Sequence, residues 1–178
     1  MEMRTIFAGF GGQGIVFMGT LLAHAGMEHG QHVTFYPSYG PAMRGGTANC
    51  SVIVSTDVIA SPIIATANAL VVMNEPSLDF FSDRLEPRGT LLVNSSLIKK
   101  KIERADITVH YLPANHIAEQ LGDGRMANMV MLGAMTRATN VLPIATLLTT
   151  LRHVLAKKRP QMIECNIKAM QHGYDALL

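Results

Sequence analysis

Three glycines at the spacing Gly9-x-Gly11-x-x-Gly14 constrain the fold of this chain more than any other feature of the sequence. They follow an apolar run at residues 4–9 and stand just before a helical pattern that starts near Gln13. In many dinucleotide-binding domains this spacing turns a strand tightly into a helix beneath a pyrophosphate. The sequence therefore predicts a strand–turn–helix unit that belongs to an α/β fold.

Short apolar runs rich in β-branched residues predict six strands. They cover residues 4–9, 32–37, 48–55, 69–74, 90–94 and 107–112. The first helix should end at Gly30, because glycine suits the position just past a helix end. A second helix is predicted from Ala114 to Leu121, followed by a stop at Gly122-Asp123-Gly124. From Met126 onward the pattern indicates helices broken at 140–143 and at 159–160.

Strands and helices alternate, and the strands are apolar almost throughout, which is typical of a parallel sheet covered on both faces. We therefore expect a three-layer α/β/α, Rossmann-like fold with a helical C-terminal part. The run 48–55 follows the second strand after only a Gly-rich loop, too short for a helical crossover. The sheet should thus be mixed, although mostly parallel. The first helix is apolar on nearly all sides, which predicts packing against more than one neighbour.

The composition favours a single domain, residues 1–178, with part of its surface covered by a partner chain. Hydrophobic residues make up 48% of the 178 residues, and only 16% are charged. A net charge of +2 argues against a nucleic-acid partner, and we interpret Lys99–Lys101 and Lys157–Arg159 as solvated helix ends. We find no secretory signal and no membrane-spanning run, so we expect a cytoplasmic protein. A homodimer of the isolated chain is left open.

The two cysteines argue against a redox centre in this chain. Cys50 and Cys165 are far apart, and no Cys-x-x-Cys or Cys/His group accompanies them. Iron–sulfur clusters and structural zinc ions need such groups. Any metal redox centre should therefore lie on another chain, and we expect no metal site here.

The strand after the glycines argues against a nicotinamide nucleotide. A dinucleotide site needs a carboxylate at the end of the second strand to hold the ribose hydroxyls, but here that strand ends Phe-Tyr-Pro-Ser-Tyr-Gly-Pro. The same absence weakens a methyltransferase interpretation. Two interpretations of the glycines remain open at this point: a structural tight turn, and an anion site formed by backbone N–H groups at a helix N-terminus.

A second Gly-rich loop, Ser38 to Cys50, favours the anion site. Arg44 is the only residue with a fixed charge between Glu28 and Asp57, and it precedes two glycines. Its guanidinium could hold a phosphate or carboxylate through two hydrogen bonds, or pair with a partner subunit. The candidate binding residues of the two loops are Gly9, Gly11, Gly12, Gln13, Gly14, Tyr39, Arg44, Gly45, Gly46 and Thr47.

Five stretches occur together in the order and spacing of one family: GFGGQGIVFMG, SYGPAMRGGTANC, SPII, MNEPSLDFF and ANMVMLGA. On these stretches the chain resembles the gamma subunit of 2-oxoacid:ferredoxin oxidoreductases, most closely the 2-oxoglutarate type. The resemblance extends over nearly the whole length. Family members usually carry Glu where this chain has Ala42, which removes a charge beside Arg44.

The resemblance implies a multi-subunit oxidoreductase that decarboxylates a 2-oxoacid on thiamine diphosphate, reduces ferredoxin through iron–sulfur clusters and transfers the acyl group to coenzyme A. It implies that alpha, beta and ferredoxin-like delta subunits are the partners and carry those cofactors, with ferredoxin contacted only indirectly. This chain would bind no cofactor alone and supply no catalytic residue, but would dock on the catalytic subunits and help form the coenzyme A side of the site.

Two other functions are weighed against this one. A free-standing nucleotide-phosphate-binding or regulatory module could use the same loops, and an NAD-dependent dehydrogenase is the second rival. Gly122-Asp123-Gly124 resembles the start of a thiamine diphosphate signature, but no Asn-Asn pair follows about twenty-five residues later. We therefore interpret these three residues as a helix stop.

Overall fold

The strands form one mixed sheet at the centre of the molecule. The computed structural model describes residues 1–38, 47–156 and 159–177. The sheet order is β2-β3-β1-β4-β5-β6, in which β1, β4, β5 and β6 are parallel and β3 is antiparallel to both of its neighbours. The strands are β1 (Glu2–Phe10), β2 (His32–Ser38), β3 (Thr47–Ser55), β4 (Ala67–Val72), β5 (Leu85–Asn94) and β6 (Thr108–Leu112).

The helices cover the two faces of this sheet unequally. The helices are α1 (Ile15–Glu28), α2 (Glu75–Phe81), α3 (Ala114–Gln120), α4 (Ala127–Thr139), α5 (Ile144–Ala156) and α6 (Ile163–Asp175). Helices α1 and α3–α6 bury one face around Phe7 and Leu92, whereas α2 and irregular segments bury the other around Ile6 and Leu91. The predicted three-layer α/β/α fold with a mixed, mostly parallel sheet and a helical C-terminal part is therefore confirmed.

Helix α1 lies unusually close to β2 and β3. Gly19 and Gly26, two turns apart, face these strands: a Cβ atom on Gly19 would lie 2.4 Å from Cys50 Sγ, and one on Gly26 would lie 2.7 Å from Val33 Cγ2. The helix also contacts α4 and α5, which confirms the predicted packing on more than one side. Its C-terminal turn is closed at Gly30, whose φ of 78° favours glycine.

The tight contact with α1 removes Cys50 from solvent. Its thiol is buried and donates a long hydrogen bond to the backbone oxygen of Ile15, at 3.5 Å. Burial raises the pKa of the Cys50 thiol to about 12, because the thiolate would lose its hydration. This cysteine is therefore a packing residue of the α1–sheet interface.

One helix was missed from the sequence, and one expectation was wrong. Helix α2 starts at Glu75, has Pro76 in its first turn and is too short to show a periodic pattern. Its N-terminal signal is Asn74, whose side chain accepts a hydrogen bond from Ser77 N–H at 3.0 Å. Lys99–Lys101 do not end a helix but lie in the irregular connection between β5 and β6. Lys101 Nζ lies 3.8 Å from the centre of the Tyr111 ring, which holds it there.

Helices α4 and α6 cross with their backbones in contact. A Cβ atom on Gly133 would lie 1.9 Å from the backbone oxygen of Met170, and one on Gly173 would lie 1.9 Å from that of Val130. No side chain fits at either position, so both glycines are required for this approach. The crossing therefore fixes how far apart α4 and α6 lie, and with it the position of their N-terminal ends.

We expect Gly133→Ala to lower the free energy of unfolding by about 3 kcal/mol, the upper end for overpacking, because the added methyl meets a backbone carbonyl. Urea denaturation followed by circular dichroism measures this. Gly124→Ala is the matched control, since its new Cβ would approach only the flexible Glu119 side chain, at 3.3 Å. A Gly133→Ala protein as stable as this control would show that the helices do not cross so closely.

Candidate functional site

The predicted glycine turn joins β1 to α1 at the carboxyl edge of the parallel strands. Gly12 and Gly14 have φ values of 94° and 73°, a region that side chains disfavour. A Cβ atom on Gly12 would meet nothing within 4 Å, so only the backbone conformation requires glycine there. On Gly14 it would lie 2.2 Å from Asn128 Nδ2, so both conformation and space require glycine.

Gln13 holds this turn together from within. Its Oε1 accepts from Phe10 N–H at 2.6 Å, and its Nε2 donates to the backbone oxygen of Met73 at 3.2 Å. The side chain thus ties the turn to the ends of β1 and β4. A Cβ atom on Gly9 would lie 2.6 Å from Gln13 Oε1, so Gly9 makes room for this contact. The geometry gives both residues a role in shaping the turn.

A groove of about 680 Å³ opens beside the turn, on the helix-rich face of the sheet. We call it the α1 groove. The first turn of α1 forms one wall, with no acidic residue in it, and the ends of α4, α5 and α6 form the others. Its lining residues are Gly12, Gly14, Val16, Phe17, Thr20, Arg125, Met126, Asn128, Val154, Leu155, Arg159, Met162 and Asn166. None of them is acidic, and they combine the N-terminal turn of α1 and two arginines with apolar side chains such as Val16, Phe17 and Met162.

The two arginines of the α1 groove differ in how their charge is balanced. Arg125 makes a two-pronged contact with Asp123, with Nε–Oδ1 at 2.9 Å and Nη2–Oδ2 at 2.7 Å. This pairing lowers the pKa of the Asp123 carboxyl. Arg159 is exposed, and its side chain makes no hydrogen bond or ion pair with any residue in the described part of the chain. Arg159 therefore presents its guanidinium at the groove without a partner among the described residues.

Two buried asparagines fix the floor of the α1 groove. Asn128 Nδ2 lies 3.5 Å from the backbone oxygen of Gly14, and Asn166 Nδ2 donates to that of Met162 at 2.6 Å. Each asparagine is less than a tenth exposed. Asn128 thereby holds the start of α4 against the glycine turn, more than a hundred residues away in the sequence.

A second groove, of about 510 Å³, lies at the same edge on the opposite face of the sheet. We call it the α2 groove, and its lining residues are Ser38, Thr47, Asn49, Pro76, Phe80, Phe81 and Arg84. Thr47 belongs to it, because this residue pairs with Phe10 in the β1–β3 register and its side chain faces α2. The predicted binding residues are therefore divided between two grooves: Gly12 and Gly14 line the first, and Thr47 the second.

The other predicted binding residues do not line either groove in the described part of the chain. Gly11 is partly buried at the start of the turn. Tyr39, Arg44, Gly45 and Gly46 lie outside the described residues, as does Ala42. The predicted helix stop at Gly122 is confirmed, since its φ is 100° and its N–H donates to Glu119 at the end of α3.

The sequence analysis missed the C-terminal half of the α1 groove. These residues come from four places in the chain, and the packing of α4 and α6 brings them to the turn: Arg125 precedes α4, Asn128 lies in α4, Arg159 lies in the α5–α6 connection and Asn166 lies in α6. Asn128 stands in the stretch ANMVMLGA, which was the one available signal. Within residues 1–38, 47–156 and 159–177, no cluster of His, Cys, Asp or Glu could hold a metal ion, and no helix could cross a membrane.

The comparisons with known proteins identify the class to which this fold and site belong. Residues 4–176 match the family described as pyruvate ferredoxin/flavodoxin oxidoreductase, and the chain belongs to this family. It is similar to the gamma subunit of a keto/oxoacid ferredoxin oxidoreductase from Geobacter sulfurreducens PCA, whose crystal structure superimposes with a TM-score of 0.83 at 29% identity. The match covers 97% of this chain and 96% of that one.

Two curated relatives come from Methanothermobacter marburgensis. The 2-oxoglutarate synthase subunit KorC is 32% identical over 100% of this chain and 98% of its own length. The ketoisovalerate oxidoreductase subunit VorA is 35% identical over 98% of this chain but only 36% of its own length. The chain thus spans about a third of this longer relative. These matches confirm the resemblance to gamma subunits of oxoacid ferredoxin oxidoreductases.

We expect Gln13→Ala to lower the free energy of unfolding by about 1–2 kcal/mol, because it leaves the Phe10 amide and the Met73 carbonyl without their partner. The Phe10 amide should also exchange its hydrogen faster, which mass spectrometry can follow. Gln161→Ala, at an exposed glutamine, serves as the control. Equal stability of the two variants would mean that Gln13 does not hold the turn.

Proposed function

We propose that this chain, as one cytoplasmic domain of residues 1–178, is the gamma subunit of a multi-subunit 2-oxoacid:ferredoxin oxidoreductase. The complex would convert a 2-oxoacid and coenzyme A to an acyl-CoA and CO₂ while it reduces ferredoxin. Similarity to KorC favours 2-oxoglutarate as the substrate. The relatives are named as subunits, which favours this function over a free-standing nucleotide-phosphate-binding module.

The α1 groove is the observation that carries this proposal. The free N–H groups of the first turn of α1 and the Arg159 guanidinium can hold phosphate oxygens. The apolar side chains of Val16, Phe17 and Met162 can contact the long, largely uncharged arm of coenzyme A. A groove with anion donors at one end and apolar walls along it therefore fits coenzyme A better than a small metabolite.

The described residues offer no set of thiolates for an iron–sulfur cluster. Such clusters are held by several cysteines, and no group of three or more His, Cys, Asp or Glu side chains comes together in the described part of the chain. Cys50 is buried with a raised pKa, so it is a poor metal ligand. Alpha, beta and ferredoxin-like delta subunits are the proposed carriers of thiamine diphosphate and the iron–sulfur clusters, and ferredoxin would meet the complex through them.

Reconstitution tests the function. We expect the isolated chain to reduce no artificial electron acceptor in the presence of 2-oxoglutarate and coenzyme A, since it carries no electron-transferring group. Addition of the other subunits should restore coenzyme A-dependent ferredoxin reduction. Activity of the isolated chain, or full activity of the complex without this chain, would refute the gamma-subunit proposal.

Arg159→Ala tests the α1 groove in the reconstituted complex. Loss of one charge-assisted hydrogen bond should raise the apparent KM for coenzyme A about tenfold, with little change in assembly. Arg152→Ala is the matched control, because Arg152 is an exposed arginine of α5 outside the groove. If both variants kept the wild-type KM, the groove would not bind coenzyme A.

Arg44 is the second residue proposed to hold a phosphate. Arg44→Ala should cost about 1.5–3 kcal/mol of binding, a ten- to hundredfold rise in the KM for coenzyme A, while decarboxylation continues. Arg44→Lys should rescue only part of the loss, because it keeps the charge without the planar fork. A different result would assign Arg44 to the subunit interface instead. In that case the Arg44→Ala chain would not copurify with its partners, and any complex that did form would show a normal dependence on coenzyme A.

A further inference from the structure

Acidic residues form one stripe along α2. Glu75 and Asp79 are four residues apart and share this stripe, and Asp83 lies in the 3-10 turn Ser82–Arg84 that follows the helix. Lys100 forms an ion pair with Asp79, and its pKa is raised mainly by that hydrogen bond and also by the charge of Glu75. The pKa of Arg104 is raised mainly by its hydrogen bond to Asp106 and to a smaller extent by the charge of Asp83. The acidic side of α2 is thus balanced by cations of its own chain.

The neighbouring stripe of α2 faces the α2 groove and carries no acid. Pro76 and Phe80 of α2, four residues apart, line the groove together with Arg84 of the following 3-10 turn. The Arg84 guanidinium carbon lies 5.4 Å from the centre of the Phe80 ring and 5.3 Å from that of Phe81. Two aromatic contacts restrict the guanidinium while leaving its N–H groups exposed, so less entropy is lost when they bind an anion.

The positive charge of Arg84 is not balanced locally. No carboxylate lies within ion-pair distance of Arg84 among residues 1–38, 47–156 and 159–177. In the sequence, residues 39–46 contain no acidic residue. The groove wall opposite Arg84 consists of Ser38, Thr47 and Asn49, which offer further hydrogen-bond donors.

An exposed aromatic residue stands beside this charge. Phe80 leaves 64% of its surface accessible, although its neighbour Phe81 is buried. Arginine is among the residues most enriched at the energetic centres of protein interfaces, and phenylalanine is enriched in the buried cores of interfaces. A small carboxylate would use the guanidinium but leave the Phe80 ring uncovered, whereas a peptide segment can cover both.

From this pairing we infer that the α2 groove docks an acidic segment of a catalytic subunit. An Asp or Glu side chain of that segment would accept two hydrogen bonds from Arg84, and an apolar neighbour would cover Phe80. The inference rests on the proposed function, because the partner is a subunit of the same complex. It assigns the α1 groove to coenzyme A and the α2 groove to assembly, on opposite faces of one sheet.

Arg84→Glu tests this assignment by reversing the charge. The full-length variant is co-expressed with the other subunits, and its dissociation constant for the complex is measured by analytical ultracentrifugation. We expect binding at least about tenfold weaker than wild type. The new carboxylate at position 84 would repel the partner's carboxylate, and the hydrogen-bond donors of Arg84 would be lost. Arg152→Glu makes the same charge change on exposed α5 and should bind normally. Phe80→Ala should weaken association about tenfold without any change in charge.

Circular dichroism confirms that each variant folds before association is measured. Association of Arg84→Glu within twofold of wild type would overturn the inference and leave the proposed function standing. A raised KM for coenzyme A with normal assembly would also overturn it, because the α2 groove would then bind a ligand. If the wild-type chain itself failed to associate with the other subunits, the proposed function and the inference would both fall.

Discussion

The backbone contact between α4 and α6 is the constraint on which the described site depends. Gly133 and Gly173 have no side chain, so the two helices approach closely. A backbone carbonyl oxygen of each helix lies where a Cβ atom would stand on the glycine of the other. Asn128 lies five residues before Gly133, and Asn166 lies seven residues before Gly173. A wider crossing would move both asparagines and separate the C-terminal wall of the α1 groove from the glycine turn.

The second organising feature is the reversal of one strand. Because β3 runs antiparallel between β2 and β1, Ser38 and Thr47 come to the same edge of the sheet as the glycine turn and the start of α2. In an α/β sheet this edge is where ligands bind. Here the edge opens on both faces, with the α1 groove on one side and the α2 groove, which contains Arg84, on the other.

The strands and the glycine turn could be predicted because their signals are local. Alternation of apolar runs, the φ > 0 positions at Gly12 and Gly30, and the short connection to β3 all lie within a few residues. The α1 groove could not be predicted from the sequence. Asn128 and Arg159 reach the glycine turn only because α4 and α6 cross as they do. Helix α2 was missed for a different reason: seven residues with a proline near the start carry a cap signal but almost no periodicity.

Burial of Cys50 under α1 has a chemical consequence beyond packing. Acyl groups pass from one sulfur to another only when the attacking sulfur is a thiolate. With its pKa raised to about 12, the Cys50 thiol is ionised in only about one molecule in 10⁵ at neutral pH. The folded subunit therefore keeps the Cys50 sulfur out of thiolate chemistry. The close approach of Gly19 that buries this thiol also protects it from acylating and alkylating reagents.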